Sequence, residues 1–207
     1  MIRVHHLENS RSQRVLWMLE ELELPYQVIR YERDPKTMLA PPELKRVHPL
    51  GKSPVIEDEG NVLIETGAIV EYLVEKTGGR LGPPEDREGQ LRYRQFLHYA
   101  EGSMMPPLLL KLVLSKVPIM GKIAVRRIEP MIAVHLRYVE SELTLHPWFA
   151  GGEMTAADVM MSFPLEAARS RGGLDGRYPH TQRWLEKIHT RPAYQRALKT
   201  GGDYAYA

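Results

Sequence analysis

Residues 51–70 read Gly51-Lys52-Ser53-Pro54-Val55-Ile56-Glu57-Asp58-Glu59-Gly60-Asn61-Val62-Leu63-Ile64-Glu65-Thr66-Gly67-Ala68-Ile69-Val70. Two short apolar runs, 54–57 and 62–64, flank Asp58-Glu59-Gly60-Asn61, whose Gly and Asn accept a positive φ, so the stretch predicts a β-hairpin. Thr66 then stands where an N-cap belongs, ahead of a helix through Lys76 with Ile69, Val70, Leu73 and Val74 on its inner face. Gly78-Gly79 ends that helix as a glycine C-cap does.

Upstream, residues 2–7 form an apolar-rich run, Glu8 to Ser12 are polar, and Val15, Leu16, Leu19 and Leu22 recur at helical spacing. That pattern is strand, turn, helix. Pro25 stops the helix and residues 26–31 alternate like a second strand. Pro35, Pro41, Pro42 and Pro49 leave little room for a long helix before the hairpin. The order βαβ, crossover, ββα predicts an α/β domain over residues 1–80, close to the smallest size that folds alone.

Downstream, residues 81–88 begin Leu81-Gly82-Pro83-Pro84-Glu85-Asp86, a stiff polar linker of the kind that separates domains. Beyond it the strand signals vanish. Helical spacing runs over 90–116, 121–145, 155–171 and 181–187, with a further turn over 193–198, so residues 89–207 predict an all-α bundle. Prolines place a break at Pro118 to Gly121 and kinks at Pro106-Pro107 and Pro130.

Composition narrows the chemistry. The chain of 207 residues has no cysteine, which excludes disulfides, thiolate zinc sites, cysteine nucleophiles and dithiol redox motifs together. Its eight histidines show no HExxH or paired ligand spacing, so no metal is expected. A net charge of +2, with both signs interleaved, gives nucleic-acid binding little to work with, and Lys111, Lys116, Lys122, Arg126 and Arg127 read as one solvated helix face. No apolar run approaches the roughly 20 residues of a membrane span, and the first residues lack the pattern of a signal peptide. The expectation is a cytoplasmic protein with no membrane partner.

Four local motifs stand in order along the chain: Asn9-Ser10-Arg11-Ser12-Gln13-Arg14-Val15, Gly51-Lys52-Ser53-Pro54-Val55, Glu65-Thr66-Gly67-Ala68-Ile69 and Met154-Thr155-Ala156-Ala157-Asp158. Together they resemble the cytosolic glutathione transferases of serine type, theta- or phi-like bacterial or fungal members. The resemblance implies a thioredoxin-like domain over residues 1–80 that binds glutathione, with Pro54 in the cis form and the backbone of Ser53 presented to the cysteinyl part of the ligand. It further implies an all-α domain over 89–207 that binds a small hydrophobic electrophile, and a homodimer in which the α/β domain packs on the partner's helical domain.

Ser10, four residues before Arg14, is implied as the catalytic residue, donating a hydrogen bond to the glutathione sulfur. Ser12 is the competing serine, although its place at the start of the apolar periodicity fits an N-cap. Glu65 and Thr66 are implied for the two charges of the γ-glutamyl group, a helix N-terminus suiting its carboxylate. Read without the resemblance, Thr66 is an ordinary N-cap, Glu65 a surface acid and Ser53-Pro54 the start of an edge strand. Lys52 is implied for the glycyl carboxylate, while Leu39-Ala40 stand where the family often carries a basic residue for the same group. Met104, Met105, Leu108 and Met120 suit either an adaptable pocket or the core. Thr155 and Asp158 resemble the family's capping box, a folding element. The implied activity is conjugation of glutathione thiolate to small hydrophobic electrophiles. An isomerase, peroxidase or dehalogenase on the same scaffold, or a non-catalytic relative that has kept the fold, are the alternatives.

Overall fold

A computed structural model describes residues 1–118 and 120–207. Contacts divide the chain into two compact units. One comprises Met1–Gly82 with His189–Ala205 and Ala207, and the other comprises Pro83–Ile188 with Tyr206.

The first unit is built on a four-stranded mixed sheet of order β2-β1-β3-β4, with β1 Ile2–Leu7, β2 Tyr26–Tyr31, β3 Val55–Asp58 and β4 Asn61–Ile64. β1 runs parallel to β2, Val4 lying beside Val28, which requires the crossover that helix α1 (Ser12–Glu21) supplies. β3 is antiparallel to both β1 and β4, and Glu59 and Gly60 turn the β3–β4 hairpin with φ of 51° and 82°. The proline-rich stretch holds a single short helix, α2 (Leu44–Val47), and α3 (Thr66–Lys76) closes the unit with Ile69, Val70 and Leu73 fully buried.

Helix α9 (Pro192–Gly201) also belongs to this unit, whereas the sequence predicts residues 89–207 as one helical domain. Its inner face is Ala193, Tyr194, Ala197 and Gly201, all buried, and it lies along α1. Tyr194 meets Trp17 edge-on at 5.4 Å, Arg191 grips Glu21 through two nitrogens at 2.5 and 2.8 Å, and Arg196 bonds Glu20 at 2.7 Å. Small residues on α9 allow the close approach and the ion pairs fix the register.

Among the described residues, the named elements of the second unit are all helices. α4 (Arg87–Tyr99) passes through a π-helical turn, Ala100–Met104, into α5 (Met105–Ser115), so Pro106 and Pro107 sit in the first turn of a helix where they cost little. α6 (Met120–Leu145) follows; the predicted break at Pro118 to Gly121 includes Ile119, which lies outside the described residues. α7 (Ala156–Ala167) is buried along its whole length, and α8 (Pro179–His189) ends the unit. Phe96, Phe149 and Trp184 form its aromatic centre, with ring centroids 4.7 and 5.1 Å apart. Met104, Met105 and Leu108 are at most 2% exposed and belong to this core; Met120 is exposed.

Candidate functional site

The end of β1 gathers three of the predicted residues. Ser10 is 6% exposed, and its hydroxyl lies 2.7 Å from that of Ser12, which is fully buried. Ser12 Oγ accepts from the Leu7 backbone N–H at 3.2 Å, and Ser53 Oγ accepts from the same N–H at 3.2 Å. One main-chain donor therefore ties Ser10, Ser12 and Ser53 into a single network. Ser53 also donates to the His5 carbonyl at 2.8 Å, so its side chain continues the β1–β3 pairing where the ladder stops at His5 and Val55.

The Ser53–Pro54 peptide is cis. Among the described residues, nothing pairs with the main-chain N–H and C=O of Ser53. An extended backbone laid beside it would find a donor and an acceptor already placed. Register carries the arrangement further: Val55 pairs with Ile64, so Glu65 follows at the same end of the sheet at which Ser53 and Pro54 precede β3. Glu65 is exposed and Thr66 buried. Lys52 is exposed, and no contact brings it to the other predicted residues.

Two capping expectations need correction. Thr66 is the first helical residue of α3, not its N-cap; Glu65 holds that position with φ of 68°, a conformation costly for a side chain with a Cβ. Ser12 likewise is the first residue of α1 and caps nothing, because its hydroxyl turns back toward β1. Ser10 takes part of that task, accepting from the Ser12 backbone N–H at 3.2 Å. The positive end of α1 therefore lies directly behind the Ser10 hydroxyl.

His6 is the residue that sequence reasoning missed. Its Nδ1 lies 2.9 Å from Ser12 Oγ, and the ring is 2% exposed. Its pKa is lowered to about 4, chiefly by burial and then by the nearby charge of Arg30, with the Gly201 backbone opposing both. The signal was available: Ile2, Val4 and His6 alternate along β1, so a polar ring on their apolar face needed a buried partner. Beyond the network, Asn9, at φ 48°, accepts from the Ala205 N–H at 2.7 Å, bringing the end of the chain beside Ser10. Among the described residues, no group of three or more His, Asp or Glu gathers as metal ligands do.

A βαβ–ββα sheet of order β2-β1-β3-β4, with a cis-proline at the head of β3, defines a thioredoxin-like domain, here joined in one chain to a helical unit. Residues 1–75 match the model of the glutathione S-transferase N-terminal domain, and residues 104–192 that of the C-terminal domain. Glutathione S-transferase 3 of Schizosaccharomyces pombe is 37% identical, over 98% of this chain and 89% of its own length. Glutathione S-transferase 1 of Saccharomyces cerevisiae is 32% identical, over 94% and 92%. A glutathione S-transferase crystal structure from Actinobacillus pleuropneumoniae superposes with a TM-score of 0.88 at 35% identity, covering 100% of this chain and 95% of that one. A family member from Pseudomonas fluorescens Pf-5, solved with two glutathione bound, gives 0.80 at 27% identity, covering 95% and 92%. The chain belongs to the glutathione S-transferase family of enzymes.

Proposed function

We propose that this glutathione transferase binds reduced glutathione at the end of β1 and uses the Ser10 hydroxyl to hold its sulfur as a thiolate for attack on a small hydrophobic electrophile. The observation that carries the reading is the network itself. Ser10 joins, through Ser12 and the Leu7 N–H, to Ser53, whose unpaired main chain precedes the cis-proline. In this reading the Ser53 backbone takes the cysteinyl unit, Glu65 and the first N–H groups of α3 take the γ-glutamyl ammonium and carboxylate, and Lys52 reaches the glycyl carboxylate. The unusual φ of Glu65 supports it, since backbone held in such conformations clusters at ligand sites.

The energetic task is modest. A free thiol with pKa near 8.5 is only a few per cent ionised at neutral pH, and lowering that value by one requires about 1.4 kcal/mol of preferential thiolate stabilisation. A hydrogen bond to an anion contributes about 1.5–3 kcal/mol, and the N-terminus of α1 a few tenths more. Ser10 has only to donate; no base is required of it.

The helical unit supplies the electrophile site, and residues 1–80 and 89–207 divide the two binding tasks. The enzyme works as a homodimer in the cytoplasm. The exposed Leu91, Met131 and Val134 of α4 and α6 support a self-association surface, and no described helix is long and apolar enough to cross a membrane. The test is retention on immobilised glutathione, followed by ultraviolet titration of the bound thiol in wild type and Ser10→Ala. Ser10→Ala is expected to raise the thiol pKa by about one to two, given the energy of a hydrogen bond to an anion. Failure of the wild type to bind glutathione overturns the reading, and an unchanged pKa in Ser10→Ala removes Ser10 from its role.

A further inference from the structure

Residues 102–128 contain no Asp or Glu and five Lys or Arg. The same stretch holds Leu109, Leu110, Val113, Val117, Met120 and Ile123, each between 42% and 65% exposed. A helix that borders solvent on one side normally carries its polar residues there. α5 does the reverse. Its buried residues are Met105, Pro107 and Leu108, while its solvent side presents Leu109 and Val113, one turn apart, with Leu110 beside them.

The apolar face continues past the end of the helix. Val117 stands in the turn that follows, its N–H donating to the Leu114 carbonyl at 3.0 Å. Gly121 packs the first turn of α6 against that end, since a Cβ there would run into the Leu114 carbonyl and stand 3.2 Å from Val117 Cβ. Met120 and Ile123, exposed in the same first turn, therefore adjoin the α5 face. The basic residues border it. Lys111 is neutralised by Glu129 at 3.0 Å, but among the described residues no carboxylate pairs with Lys116, Lys122, Arg126 or Arg127, and all four are exposed.

Six exposed apolar side chains bordered by four uncompensated cations call for a partner that offers hydrocarbon and negative charge together. A second copy of this surface offers only the first, because a two-fold contact sets like charges against one another. An anionic bilayer offers both, with acyl chains within reach of Leu and Val and charged headgroups at the level of Lys and Arg. No described helix is long and apolar enough to cross a membrane, so the contact is with the surface alone. We propose that the outward face of α5, with the turn after it and the first turn of α6, docks on the surface of an anionic lipid membrane. The sequence reading expected a solvated basic face and no membrane partner; the structure adds that the apolar residues between the charges are turned outward as well. The docking does not depend on the role of Ser10.

The experiment is co-sedimentation of the full-length protein with vesicles of three parts phosphatidylcholine to one part phosphatidylserine, and with vesicles of phosphatidylcholine alone. Wild type is expected to bind the mixed vesicles at least about tenfold more tightly, and to lose that advantage as ionic strength rises from about 0.05 to about 0.5 M. Lys122→Gln/Arg126→Gln should weaken binding to the mixed vesicles by about ten- to thirtyfold. Val113→Gln/Val117→Gln, at two exposed positions, should weaken it by at least about tenfold. Wild type that ignores the mixed vesicles, equal binding to the uncharged ones, or either variant binding as wild type does overturns the proposal. If Val113→Gln/Val117→Gln changes the sedimentation of the protein alone and leaves vesicle binding as it was, the face belongs to a second copy and the proposal falls. Retention on immobilised glutathione tests the proposed function separately: a protein retained there but absent from vesicles loses only the docking surface.

Discussion

Of the helices that open on a hydroxyl residue, α7 and α1 use it for opposite ends. At the start of α7, Thr155 is the N-cap of a complete capping box. Asp158 Oδ2 accepts from the Thr155 N–H at 2.9 Å and from its hydroxyl at 3.1 Å, and Oδ1 accepts from the Phe149 N–H at 3.0 Å. At the start of α1, Ser12 sits inside the helix, caps nothing and faces His6, while Ser10 ahead of it is half committed to the helix and half to the site. Where the hydroxyl and its carboxylate partner lie three residues apart, the local motif closes on itself and stabilises the fold. Where no acid stands at that spacing, the hydroxyl is available to long-range partners, and those partners make a candidate site.

The sharpest way to break the comparison is to remove the acid. Asp158→Ala strips three buried donors of their acceptor, each worth about 1 kcal/mol or more, so the helical unit should lose about 3–4 kcal/mol in denaturant unfolding. The bound thiol pKa should stay where it was. A comparable shift of that pKa would show that the α7 start is not the purely structural element its geometry describes.

Acid separates the two helix starts by sign. Burial pushes Asp158 up to about 6 against the hydrogen bonds of the box, and burial pulls His6 down to about 4. Between pH 6.5 and 4 the unfolded chain takes a proton at His6 that the folded one refuses, so this group removes stability as the pH falls. Between about 6 and 3.8 the folded chain takes a proton at Asp158 that the unfolded one does not, so that group restores it. Each is on the order of 3 kcal/mol across its window, and the two nearly cancel in the wild type. Asp158→Asn leaves the His6 loss uncompensated: its unfolding free energy should fall between pH 6.5 and 4.5 more steeply than that of the wild type. A parallel pair of curves would refute the opposition.

Gly201 couples the end of α9 to the α1 side of the comparison. Gly201→Ala should cost about 1–2 kcal/mol, the overlap with Gln13 and Leu16 outweighing the gain in helix propensity. A stabilised variant would mean that α9 accommodates the methyl by a local shift.

Legibility in the sequence divides along the same line. The hairpin at Asp58 to Asn61, the α1 and α3 periodicities and the Thr155–Asp158 box are local patterns, and each lies in the structure within a few residues of its predicted place. Ser10, Ser53 and Glu65 were legible as candidates only through motifs, because the links that relate them, Leu7 N–H to two serines and Val55 to Ile64, join residues far apart in the chain. α9 was legible as a helix but not as part of the first unit, since its partners Glu20, Glu21 and Trp17 lie about 170 residues away. His6 was within reach of strand alternation, although it lies ahead of the first of the four motifs.

The smallest effect is the most discriminating. Ser12→Ala removes one hydroxyl from a fully buried position, leaving His6 Nδ1 without its partner at 2.9 Å, while the Leu7 N–H keeps Ser53 Oγ as acceptor. One unmet polar group amounts to about 1 kcal/mol of stability, well below the loss predicted for Asp158→Ala. Had Ser12 been the cap that its position in the sequence suggests, its removal would expose α1 N–H groups and weaken packing along the whole helix. Hydrogen exchange distinguishes the two: a serine turned toward β1 leaves protection of the α1 amides as it was, whereas a capping serine releases those of the first turn. Protection lost from Gln13 and Arg14 onward would return Ser12 to the role of Thr155 and dissolve the difference between the two helix starts.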